Sequence, residues 1–206
     1  MLACMSLVSY VAVRTDAAVA GKAALAEVDA NATGIARSTR TQAATDTTWP
    51  RSVPLDAAPA DPLGSLEIPS LGLRAALYAE ASEINMNRGA VLIPRMAAPG
   101  EVGNLGIAAH RDGIFRPLEL IGVGDAIAVR TAGFQYVYRV TSITVVERTD
   151  AALLRRTAEP SITLVTCYPF RYVGPAPKRF VVRGQLDSVR EELAETALLR
   201  RNVQLL

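Results

Sequence analysis

The sequence predicts an all-β fold, a closed β-barrel preceded by a helical segment. Three observations point to it. From Leu63 onward the chain breaks into short runs of alternating apolar and polar residues separated by glycine and proline. Helical periodicity is scarce in that stretch, and the runs are too few and too uneven for the two full sheets of a sandwich. Half of the 206 residues are hydrophobic, enough for one domain with its own core.

Taken in order, residues 1–20 open with an apolar run to Val13, interrupted only by Ser6 and Ser9, and end in Ala18-Val19-Ala20. The small-x-small ending has the form of a cleavage site, so the segment reads as an export or membrane-anchor segment. It is shorter than the ~20 residues of a comfortable span and has no basic residue ahead of it, which leaves a fortuitously apolar helix as the other reading. Residues 21–62 form the second region. Alanine dominates it to Ala44, which favours a solvated or membrane-proximal helix. Pro50, Pro54, Pro59 and Pro62 then break any regular element and mark a linker.

Within the barrel, assigned to residues 63–186, strands are expected at 66–68 and 73–78, joined by the turn Pro69-Ser70-Leu71-Gly72. A short helical turn fits 82–89. Further strands are expected at 106–109, 126–131, 136–146, 162–167 and 179–183, with tight turns at Gly122-Val123-Gly124-Asp125 and Ala132-Gly133. Residues 187–206 read as a C-terminal helix, because Ser188 and Glu191 have the spacing of a capping box ahead of Leu193, Leu198 and Leu199.

Composition excludes several functions. The 22 basic and 20 acidic residues balance to a net charge of +2, without a basic run and with 5% aromatics, so nucleic-acid binding has no basis. Two cysteines, Cys4 and Cys167, give no disulfide framework. With one histidine they give no zinc ligand set, and no acidic cluster suggests calcium, so neither metal nor cofactor is expected.

What remains is a scarcity. Cys167 is the only thiol in the body of the chain, and His110 is the only imidazole anywhere. Cys167 follows the apolar, β-branched run 162–166, and His110 closes the apolar run 105–109, so both are expected where a strand opens into a loop. A free thiol has a pKa of about 8.5, so attack at neutral pH needs a neighbouring base, and imidazole can act first as base and then as acid. The oxyanion formed when a thiolate attacks an amide also needs a fixed donor. Arg179 begins the strand after Cys167, and the loop between them returns it to the same rim. Arg171 in mid-loop and Arg183 farther down the strand fit that role less well. Lys178, beside Arg179, would point away by strand alternation.

Four segments then make a recognisable ordered set: residues 99–104 leading into Ala109-His110-Arg111-Asp112, the Gly124-Asp125 turn, Thr163-Leu164-Val165-Thr166-Cys167, and Lys178-Arg179-Phe180-Val181-Val182-Arg183. Together they resemble the sortases, most closely class D and its proteobacterial relatives. The resemblance implies a closed eight-stranded barrel and a cysteine transpeptidase. Such an enzyme cuts a secreted protein at a C-terminal sorting signal of the Leu-Pro-x-Thr-Gly type and joins it to an amine acceptor at the cell surface or cell wall. It further implies that Cys167 forms the thioacyl intermediate, that His110 shuttles the proton, and that Arg179 stabilises the oxyanion. Thr166 and Tyr168, flanking the nucleophile, are expected to bind substrate. The catalytic domain is expected outside the cytoplasm, held at the membrane by the N-terminal segment. An exported cysteine hydrolase and a non-catalytic binding barrel with an inert thiol are the other readings.

Overall fold

The computed structural model describes residues 21–29, 61–131 and 133–191. Residues 1–20, the Pro-rich linker and the chain from 192 onward lie outside the described residues, so the expected export segment does too. Residues 21–29 are helical (α1). The strands follow as β1 (Gly64–Ile68), β2 (Leu73–Tyr78), β3 (Ala90–Leu92), β4 (Asn104–Ala108), β5 (Ala126–Thr131), β6 (Phe134–Glu147), β7 (Ser161–Tyr168) and β8 (Lys178–Glu191). A second helix, α2 (Glu83–Arg88), precedes β3, and 3-10 turns occupy Pro69–Leu71, Arg116–Leu120 and Ala151–Leu154.

The strands close into a single barrel in the order β1-β2-β3-β4-β7-β8-β6-β5, with β5 returning to β1. Only β2–β3 and β4–β7 run parallel; every other pair is antiparallel. The predicted hairpin between β1 and β2 turns as expected, with Gly72 in the left-handed region at φ 59° and its N–H donating to Pro69 O at 3.1 Å. Ser82 caps α2 by accepting from the Asn85 N–H at 3.3 Å.

Alternation decides what goes inside. On β4, Leu105 and Ile107 face the core; on β7, Ile162 and Leu164 do; on β8, Val182 does. Phe115 and Leu118 plug the barrel from the turn after β4, and both are fully buried. The alternate residues of the same strands face outward, where a smaller cluster of Leu153, Val165 and Val181 gathers with Ile93 and Val146.

One expectation is narrowed and one corrected. The Ala-rich helix is solvated on one face only over 21–29: Lys22, Ala23 and Ala26 are exposed, while Ala24 is fully buried against Ala76, Tyr78 and Val91, and Asp29 pairs with Arg74 at 2.6 Å. No helix among the described residues is long and apolar enough to cross a membrane. Residues 187–191 are strand rather than helix, since Ser188 lies opposite Val137 and Glu191 opposite Phe134. The N-terminal half of β6 offers a ladder of backbone groups, and pairing with it outweighs a local capping box.

Tyr138 ties the core to the loop before β4. Its ring is fully buried, and its hydroxyl accepts the Gly100 N–H at 2.9 Å. Burial pushes the phenol up to about 12 from an ordinary 10.0, against a smaller lowering by the Gly100 hydrogen bond. The unfolded chain therefore ionises this group first, so its contribution is full below pH 10 and is lost as pH rises toward about 12. Urea titrations should show Tyr138→Phe losing about 1 kcal/mol at pH 8. The variant should also lack a fall of about 2–3 kcal/mol that wild type undergoes between those two pH values.

Candidate functional site

The site is assembled by register. β7 and β8 pair so that Cys167 lies directly opposite Arg179, with Thr166 opposite Phe180 and Tyr168 opposite Lys178. Directly paired residues share a face, so Cys167 and Arg179 project together from the outside of the barrel, one residue short of the end of β7. On the other side of β7, the parallel ladder with β4 runs from Asn104↔Ser161 to Ala108↔Val165. Two more residues along each strand carry that register to His110 beside Cys167. Thr166 Oγ1 donates to Ala109 O at 2.8 Å, holding the strands together past their last ladder pair.

The structure brings the thiol and the guanidinium onto one rung, and the β4–β7 register, continued two residues past its last pair, puts His110 at that level. Cys167 is half-buried. Arg179 Nη1 donates to Ala176 O at 3.3 Å and Lys178 O at 2.9 Å, which fixes one end of the guanidinium against its own loop. Lys178 itself is drawn away to Glu147, Nζ to Oε1 3.3 Å.

Thr166 and Tyr168 do not stand beside the thiol. Strand alternation turns both to the face opposite Cys167. Thr166 is 2% exposed with its hydroxyl committed to Ala109, so it positions the end of β4 instead of meeting a substrate. Tyr168 stacks on Phe180 with centroids 6.2 Å apart and meets Phe170 edge-on at 6.0 Å, closing the mouth of the core.

Three side chains with no role in the sequence reading complete the site. Glu83, the first residue of α2, places Oε1 3.5 Å from His110 Nε2, an ion pair whenever the imidazole is protonated. Arg111, immediately after His110, donates to three carbonyls of the β7–β8 loop: Pro169 at 3.1 Å, Tyr172 at 2.8 Å and Gly174 at 3.1 Å. Arg116 adds Phe170 O at 2.9 Å. The loop linking Cys167 to Arg179 is thereby held by the segment that bears His110. Arg111 stood in the recognised motif and carried that signal; Glu83 lies far from His110 in sequence and carried none.

The outer face is walled as well as floored. A Cβ on Gly106 would lie 2.2 Å from Met96 Sδ and 3.0 Å from Ile93 Cβ, so side chains of the segment that continues β3 alongside β4 lie over Gly106. Among the described residues no group of three or more His, Cys, Asp or Glu side chains converges to hold a metal. A half-buried thiol, one imidazole and a tethered guanidinium at a strand-end rim are the parts of covalent acyl transfer: nucleophile, proton carrier and oxyanion donor.

Comparison with known proteins agrees with that chemistry. A family model described as "Sortase domain" matches residues 66–187. Sortase D of Bacillus subtilis (strain 168) is 28% identical over 123 residues, covering 59% of this chain and 62% of that protein. The chain thus spans about three-fifths of the length of this curated relative. Among solved structures, sortase A of Listeria monocytogenes aligns with TM-score 0.60 at 25% identity, over 65% of this chain and 92% of that one. A sortase D5 transpeptidase of Clostridium perfringens aligns with TM-score 0.63 over 83% of this chain and 100% of the other; at 21% identity this likeness speaks for the fold alone.

The Thr166 contact can be isolated. Thr166→Val keeps the volume and removes the donor to a buried carbonyl, so its urea midpoint should correspond to a loss of about 1–2 kcal/mol. Thr166→Ser, which keeps the hydroxyl, should lose less. Equal losses would mean that packing, not the hydrogen bond, joins the two strands.

Proposed function

The chain belongs to the sortase family, and we propose on that footing that it is a cysteine transpeptidase acting on the C-terminal sorting signal of an exported protein. The observation that supports this most is the single rung shared by Cys167 and Arg179 with His110 at its level.

In this reading Cys167 Sγ attacks the carbonyl of the last signal residue kept by the substrate, and the oxyanion that forms draws on Arg179. The C–N bond breaks, His110 gives its proton to the departing amine, and a thioester remains on Cys167. An incoming primary amine attacks the thioester, its proton passes to His110, and Cys167 is expelled as the thiolate, ready for the next cycle. Glu83 Oε1, 3.5 Å from His110 Nε2, orients the ring from the side of α2. The apolar segment at residues 1–20 serves export or membrane attachment, so that the barrel meets its substrate and its acceptor outside the cytoplasm.

Full-length protein incubated with a Leu-Pro-x-Thr-Gly peptide library and a primary amine should yield the transpeptidation product by mass spectrometry. Cys167→Ala should yield none. His110→Ala should lower the rate by about 10²–10⁴-fold, and Arg179→Gln by about 10²–10³-fold. Product of hydrolysis alone, at every amine concentration, would favour a hydrolase. Unchanged product from Cys167→Ala would remove the assignment altogether.

A further inference from the structure

One apolar cluster on the outside of the barrel joins α1 to the catalytic site. Ala24 is fully buried against Ala76 and Tyr78 of β2 and Val91 of β3, with Leu25, Met86 and Ala108 packed around them. Met86 lies on α2, three residues after Glu83, and Ala108 ends β4, two residues before His110. The contact of 3.5 Å between Glu83 and His110 therefore spans two elements that rest on the same cluster.

Of those two elements, α2 is the one that needs support. Six residues are too few for a helix to be stable by itself. Its side-chain hydrogen bonds stay within its own segment: Ser82 accepts from the Asn85 N–H at 3.3 Å, and Asn85 Nδ2 donates to Glu80 O at 3.2 Å. Packing ties it to the barrel, through Met86 and through the Arg88 guanidinium, 5.2 Å from the centroid of the Tyr78 ring. Its end is pinned, since a Cβ on Gly89 would collide with the Ala76 carbonyl oxygen. Glu83 stands at the opposite end.

Helix α1 grips this arrangement along its whole length. A Cβ on Gly21 would lie 2.9 Å from the Arg88 carbonyl oxygen, so the start of α1 meets the end of α2 at backbone distance. In the middle Ala24 and Leu25 enter the cluster. At the far end Asp29 accepts from Arg74 at 2.6 and 3.3 Å, and Arg74 Nε donates to Glu67 at 2.9 Å.

We propose that α1 is a positioning element of the catalytic site, with Ala24 its positioning residue: docked on the cluster, it holds α2 against the end of β4 and keeps Glu83 at His110. The inference rests on the transpeptidase reading, in which His110 carries the proton. It gives the stretch that follows directly on the apolar residues 1–20 a part in the chemistry.

The test measures transpeptidation by the full-length enzyme with a Leu-Pro-x-Thr-Gly peptide and one primary amine. Ala24→Glu, which puts a charge into the buried seam, should undock α1 and lower kcat about fivefold with KM held within about twofold. Gly21→Val, which meets α2 only at the Arg88 carbonyl, should give a smaller loss of the same kind, and keeps the test decisive if Ala24→Glu does not fold. Glu83→Ala should cost about as much as Ala24→Glu. In Ala24→Glu/Glu83→Ala the two losses should not multiply, because no carboxylate is left to place. His110 is the only histidine, so its Hε1 NMR signal is unambiguous. Ala24→Glu should move that signal toward its position in Glu83→Ala, a change that lowered stability does not produce in folded protein. Wild-type kcat in both α1 variants, a raised KM at unchanged kcat, or losses that multiply in the double variant would overturn the positioning role and leave the transpeptidase standing. No product from the wild type would overturn both.

Discussion

The parallel pairing of β4 with β7 is the constraint on which the rest depends. A parallel pair cannot be closed by a hairpin, so the chain between Ala108 and Ser161 has to cross the barrel and return. The excursion supplies β5 and β6, closes the ring against β1, and delivers Phe115 and Leu118 to the core. The same pairing brings the only imidazole to the level of the thiol. A slip of one residue would turn Cys167 into the barrel and Thr166 out of it. Thr166, buried and bonded across to Ala109, opposes that slip at the point where the ladder ends.

Loops are ordinarily the mobile part of a barrel, yet here the loop after the nucleophile is held from the histidine side. Arg111 and Arg116 take four of its carbonyls between them. Planar guanidiniums suit that task, because each presents several donors in a fixed fork. Positional accuracy at Cys167 and at His110 is thus one property, since a shift of either segment strains the same hydrogen bonds. Arg179 is anchored from its own side by Ala176 and Lys178.

Where the sequence was legible, the reason was periodicity or turn chemistry. β5 at 126–131 came out with both ends in place, because Gly122–Asp125 marks its entry and alternation its length. β3 escaped notice: three residues are too short for any period, and only its partners, β2 in parallel and β4 antiparallel, define it. The end of β8 was misread for the opposite reason. Polar residues spaced as Ser188 and Glu191 satisfy a local rule, while the strand that wins is set by a partner some fifty positions away on β6. Thr166 and Tyr168 were drawn to the substrate by their closeness to Cys167 in sequence. In a strand, the nearest neighbours of a nucleophile are the residues on its opposite face.

Because the ring closes, it exposes no full-length edge strand around the catalytic rung: β7 has β4 on one side and β8 on the other. A polypeptide ligand therefore cannot be read by adding its backbone to the sheet, the mode in which main-chain hydrogen bonds supply most of the affinity. It must be read across the face, by side chains alone. On the transpeptidase reading, selectivity then resides in outward positions of the strands and loops around Cys167. These can be exchanged without disturbing the inward-facing core, so one barrel can acquire new signals while its architecture stays fixed.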